Sequence, residues 1–116
     1  MKRIALIAAC IAGITLAAMA HAFLEKAIPA AGANLTARPA KVELQFSEAL
    51  EPSFSGITVS DMAGHSMAAG PVVANGTELD LPLKPLPPGR YRVTWHAVSI
   101  DTHRTAGKYN FLVLPP

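Results

Sequence analysis

Hydrophobic and polar residues alternate along this chain with a period of two. From Lys41 to Ser47, Val42, Leu44 and Phe46 fall on one side and Glu43 and Gln45 on the other, which predicts a strand with one buried face. Arg90 to Val98 repeats the pattern at greater length, with Tyr91, Val93, Trp95 and Ala97 on one face and Arg92, Thr94 and His96 on the other. Gly107 to Leu114 closes the chain with Tyr109, Phe111 and Val113 together. Weaker strand signals lie at His21 to Ile28, which ends at Pro29, and at Gly56 to Ser60, with the β-branched pair Ile57 and Val59. Val72-Val73 and Thr77 to Leu81 bracket Asn75-Gly76, a dipeptide that favours a tight hairpin turn.

The intervening segments suit connections. Residues 29–40 are turn-rich and lack helical periodicity. Glu48 to Pro52 has room for one helical turn, and Asp61 to Gly70 reads as a loop or hairpin. Pro82 to Gly89 holds four prolines and is excluded from a helix or a central strand. Short strands about ten residues apart, separated by Gly and Pro turns, predict an all-β domain of about seven antiparallel strands, a sandwich or small Greek-key β-barrel.

The first twenty residues change the accounting. Lys2 and Arg3 precede an apolar run from Ile4 to Leu16, and Ala18-Met19-Ala20 offers small residues where a signal peptidase reads. This predicts a secretory signal over residues 1–20, cleaved after Ala20, and an exported domain over 21–116. An uncleaved anchor is the alternative, but the run is short for a bilayer span of about 20 residues. Cys10 sits too early for a lipid-attachment box. Removing residues 1–20 from the 116 leaves 96, enough for one compact domain. Ten basic residues fall to eight, against eight acidic ones. The sequence shows no basic cluster in what remains, which argues against nucleic acid as a partner. The only cysteine also leaves, so the exported domain relies on its core rather than a disulfide.

Export also has a chemical consequence. Cleavage gives His21 a free α-amine, which together with its own Nδ1 closes a six-membered chelate. Divalent copper favours such nitrogen donors in a tetragonal arrangement. His103 offers a third nitrogen and Asp101 an oxygen, if the first strand passes beside their turn. Asp101-Thr102-His103 alone also reads as an ordinary polar turn in which Asp101 accepts backbone N–H bonds.

Several stretches together resemble the CopC/PcoC family of periplasmic copper-resistance proteins. They are His21 as first residue, Pro29-Ala30-Ala31-Gly32, Val42 to Glu48, Phe54-Ser55-Gly56, and Tyr91 to Gly107 with Trp95, Val98-Ser99 and Asp101-Thr102-His103. The resemblance implies a Greek-key fold of cupredoxin-like or immunoglobulin-like appearance. It implies Cu(II) held by His21 through amine and imidazole, with Asp101 and His103. It also nominates Glu48 as a weak or outer ligand. Some members bind Cu(I) in a methionine-rich loop, and the corresponding residues here are Met62, His65 and Met67. Thioether and imidazole suit Cu(I), although a solvated hairpin with Met as filler fits the same residues. His96 departs from the family, which commonly has Arg after the Trp. It reads as a surface residue, a copper neighbour or a donor to Asp101. Arg104 reads as solvated, or as a partner of Glu48 or Asp101.

The leading expectation is a monomeric, non-catalytic copper carrier of the periplasm. It would serve copper resistance or homeostasis and exchange the metal with an inner-membrane copper transporter or another periplasmic copper protein. The alternatives are a copper monooxygenase with an N-terminal histidine brace and a metal-free immunoglobulin-like interaction module.

Overall fold

The structure is a computed structural model that describes residues 22–116. In chain order the strands are β1 Leu24–Ile28, β2 Asn34–Leu35, β3 Lys41–Phe46, β4 Gly56–Asp61, β5 Val73–Asn75, β6 Glu78–Pro82, β7 Gly89–Val98 and β8 Arg104–Val113. A single 3-10 turn over Pro52–Phe54 leads into β4. Two four-stranded sheets form, one in the order β1-β3-β6-β5 and the other β2-β8-β7-β4.

The alternation in the sequence becomes the two inner faces. Val42, Leu44 and Phe46 of β3 and Leu79 and Leu81 of β6 are buried from one side. Ile57 and Val59 of β4, Tyr91, Val93, Trp95 and Ala97 of β7, and Phe111 and Val113 of β8 meet them from the other. Phe46 and Trp95 join the layers edge to face, with ring centroids 5.2 Å apart.

The all-β sandwich expected from the sequence is borne out, with two differences in detail. The described residues hold eight, and β2 runs parallel to β8, with Asn34 opposite Leu112 and Leu35 opposite Val113. Two residues carry no detectable period, so this strand exists only because β8 supplies its partners. The sheets form an open sandwich rather than a closed barrel, because the edge strands β1 and β5 do not pair with β2 and β4. Asn75 stands opposite Glu78, so the hairpin tip is Gly76-Thr77, one residue beyond the expected Asn75-Gly76. Gly76 takes φ +62° there, a conformation that a β-carbon penalises.

β8 starts at Arg104, three residues before the sequence signal, because β7 is long enough to pair with all of it. Gly107 lies opposite Trp95, and a β-carbon at Gly107 would sit 2.7–2.9 Å from the indole ring. Here a strand glycine makes room for a flat-lying aromatic.

Arg90 and Arg92 on β7 and Arg104 and Lys108 on β8 are all exposed on one side of their sheet. Two paired strands thus bring cations that are separated in the chain onto one face.

Candidate metal site

The turn from β7 into β8 is built on Ser99, the one polar residue among the fully enclosed side chains of the described residues. Its N–H donates to the His103 carbonyl at 2.9 Å, and its carbonyl accepts the Thr102 N–H at 2.8 Å. Its hydroxyl donates to Asp101 Oδ1 and accepts the His103 N–H at 3.3 Å. Thr102 takes φ +72°, uncommon for a β-branched residue, and this reverses the chain. Asp101 and His103 therefore converge through a turn and not through extended i, i+2 spacing.

His103 Nδ1 lies 3.2 Å from Asp101 Oδ2, and both side chains are 45% exposed. Adjacent donors on a divalent first-row ion, with bonds of about 2.0–2.1 Å, stand about 2.9 Å apart. The pair is within a few tenths of an ångström of that bite. The Ser99 hydroxyl holds the Asp101 carboxyl below the usual carboxylate range, His103 reinforces this, and partial burial opposes it. Asp101 thus stays anionic wherever an imidazole is deprotonated enough to bind a metal.

Two other segments reach this turn. Ile100 N–H donates to the Ala49 carbonyl at 3.1 Å and Glu51 N–H to the Val98 carbonyl at 2.8 Å. The start of the described chain is held by Phe23 and Ser47, whose N–H groups bond to Ser47 Oγ at 2.8 Å and the Phe23 carbonyl at 2.9 Å. Thr105 Oγ1 donates to the Ala22 carbonyl at 2.9 Å, and Ala22 is fully buried. Glu48 is half-buried between Ser47, tied to Phe23, and Ala49, tied to Ile100. His21 lies outside the described residues.

The remaining candidates take other places. His96 stands on the exposed face of β7 opposite Gly56, where a β-carbon would meet its ring at 2.9 Å. It covers Gly56 rather than bonding to Asp101, whose hydrogen-bond partners among the described residues are Ser99 and His103. Arg104 is exposed and pairs with neither Glu48 nor Asp101. In the Asp61 to Gly70 loop, Asp61 organises a tight turn by accepting the N–H groups of Ala63 at 3.0 Å and His65 at 2.8 Å. The His65 ring is held on Asp61 at 3.1 Å, Met62 is exposed, and Met67 packs against the core.

Sequence reasoning missed a group on the other sheet. Glu43, Glu78 and Asp80 place one carboxylate oxygen each within 4.8 Å of one another. Lys41 neutralises part of this charge, at 3.1 Å from Glu43 and 3.8 Å from Asp80. Repulsion from Asp80 pushes the Glu78 carboxyl up. The outward alternation of β3 and β6 was visible in the sequence, but their register was not.

The CopC domain family model matches residues 24–114, which span both sheets and the Ser99–His103 turn. The chain belongs to the CopC family. It is 41% identical over 111 residues to copper resistance protein C of Escherichia coli, covering 87% of each chain. It superposes on CopC from Methylosinus trichosporium OB3b with a TM-score of 0.75 at 34% identity, covering 82% of this chain and 95% of that one. PcoC, a methionine-rich copper resistance protein from Escherichia coli, gives a TM-score of 0.70 at 38% identity over 81% and 99%. The open all-β sandwich is therefore the CopC fold. By contrast with a methionine-rich member, this chain has four methionines, and Met1 and Met19 lie ahead of the β domain.

Within this CopC-family chain, Ser99 supports the Asp101/His103 pair from behind. Ser99→Ala is expected to raise the Asp101 carboxyl towards its ordinary value of about 3.9. The sign follows from the lowered native value. Its stabilisation is present above the unfolded-state pKa and is lost as pH falls through the folded one. Carboxylate NMR titration reads the effect.

Proposed function

We propose that the protein is a periplasmic copper carrier that holds Cu(II) between the N-terminal residue His21 and the Asp101/His103 turn. Membership in a family of copper resistance proteins supports copper as the cargo. The observation that carries the site is the 3.2 Å Asp101–His103 pair next to a pinned chain start. Ala22 is hydrogen-bonded to Thr105, two residues beyond His103. The described chain start is thus tied to the strand that leaves the turn, which supports a contribution from the preceding residue, His21.

In this reading residues 1–20 are a signal peptide and residues 21–116 the working domain. His21 supplies amine and imidazole nitrogens, His103 a third nitrogen and Asp101 an oxygen, a set suited to tetragonal Cu(II). Glu48 approaches the same corner as an outer carboxylate. The protein acts as a monomer without catalysis and passes copper to or from a membrane copper transporter or another periplasmic copper protein. The Met62, His65 and Met67 loop is not part of the Cu(II) site.

Competition against a chromophoric chelator tests the assignment. His103→Ala should weaken Cu(II) binding roughly 100-fold or more, and Asp101→Ala by a smaller factor, on the order of tenfold. Met62→Leu with Met67→Leu should leave Cu(II) affinity unchanged. Wild-type affinity in both His103→Ala and Asp101→Ala would exclude the turn as a copper site.

A further inference from the structure

The cationic face of the β2-β8-β7-β4 sheet has no part in the copper reading. Arg90 and Arg92 alternate outward on β7, and Arg104 and Lys108 outward on β8. The register sets Arg92 beside Asn110, Thr94 beside Lys108 and Val98 beside Arg104. The charges therefore run along the sheet from Arg90 to the level of Val98, about 26 Å at the usual strand rise. The outward residues Thr58 and Ser60 of the neighbouring β4 are uncharged.

No carboxylate stands on this face. Glu43, Glu78 and Asp80 point out of the opposite sheet, where Lys41 pairs with Glu43 and Asp80. Glu25 is on β1 of that sheet, and Glu48 lies in the segment after β3. Asp61 ends β4 and is occupied by His65, while Asp101 belongs to the turn. Glu51 borders the end of the face near Arg104 without forming an ion pair. Among the described residues Arg90, Arg92, Arg104 and Lys108 likewise have no carboxylate partner within ion-pair distance.

At the same end Phe54 is 63% exposed, bordering a depression of about 480 Å³ that it shares with His96 and Arg104. A row of cations with an exposed aromatic at one end complements a surface that is anionic outside and apolar beneath. A lipid surface asks only for spaced cations and an apolar tip at its rim. We infer that this face docks the protein on an anionic phospholipid surface, with Phe54 entering the headgroup layer. The inference stands apart from copper, and apo protein tests it.

Each Lys or Arg close to an anionic bilayer raises partitioning roughly fivefold. Four of them with one aromatic give a weak and reversible hold. Co-sedimentation with vesicles of phosphatidylcholine containing about 30% phosphatidylglycerol should show binding that falls between about 50 and 200 mM salt. Pure phosphatidylcholine vesicles should show none.

Arg92→Gln with Lys108→Gln should lower partitioning about 25-fold, two factors of about five. Lys26→Gln with Lys84→Gln removes the same charge away from the face and should leave partitioning within about twofold after the general charge effect. Thermal melts confirm that both double variants fold. Two results would overturn the inference. One is absence of binding to the anionic vesicles at low salt. The other is an equal loss in both double variants, which would leave only net charge. Poly-glutamate captured through Arg92 and Lys108 while vesicles are not would assign the face to an acidic protein instead.

Discussion

Placing one residue ahead of His21 is expected to lower Cu(II) affinity by more than about 100-fold. The reason is a change of chemistry at one nitrogen. A free α-amine, with an ordinary pKa near 7.7–8.0, gives up its proton to a metal at neutral pH. Once acylated by a preceding residue it becomes an amide and loses the basic lone pair. In the proposed site the amine–imidazole chelate then opens, and His21 falls from two donors to one. Loss of a group that merely supports a ligand costs 10–100-fold, so loss of a ligand together with its chelate ring should exceed that. The fold should be indifferent, because the anchoring bonds begin at Ala22 and Phe23.

The measurement compares mature protein starting at His21 with a version carrying one extra methionine. Chelator competition gives affinity, and electron paramagnetic resonance reports the nitrogen donors. Mass spectrometry fixes the first residue of each sample. Equal affinity in the two proteins would remove His21 from the site and leave the Asp101/His103 turn to be explained alone.

Trp95→Ala is expected to cost about 3–5 kcal/mol of folding stability. Trp95 is 8% exposed, meets Phe46 edge to face and lies flat over Gly107. Its removal opens a cavity between the two sheets at their joint. Ordinary domains hold only about 5–15 kcal/mol in reserve, and this β domain has no cysteine to offset the loss. Urea denaturation of the apo protein reads the effect.

Gly107→Ala provides an internal check. Its β-carbon would press on the indole ring at 2.7–2.9 Å, so the buried ring must shift, at about 1–3 kcal/mol. In a Trp95→Ala background the clash is absent, and the same substitution should cost much less. Additive effects in this double-mutant cycle would contradict the packing described for this pair.

The two predictions address parts of the molecule that were unequally legible in the sequence. Trp95 belonged to an uninterrupted alternation from Tyr91 to Ala97, so its burial followed from period alone. Asp101 and His103 were adjacent enough for any turn to bring them together. Ser99, which fixes how they meet, entered the sequence reading only as part of the family motif and without a role, since a serine two residues before an aspartate is ordinary in loops. Its complete burial under the Leu50 bridge and its bonds to Asp101 and His103 reveal that role. His96 lies on the exposed strand face that its alternation assigned to it, and only the pairing with β4 places it over Gly56.

By itself the sequence determined what depends on near neighbours: which strand faces are apolar, where prolines forbid a ladder, and that a carboxylate and an imidazole share one turn. The tertiary structure decided what depends on register between strands distant in the chain. That includes the parallel strand at Asn34–Leu35, the acidic group of Glu43, Glu78 and Asp80, the placement of Glu48 between two anchored neighbours, and the cationic face. Alternation tells each strand which side is in, but the partner and offset of a strand are set by long-range packing. A shift of one residue would turn every one of those side chains to the other face.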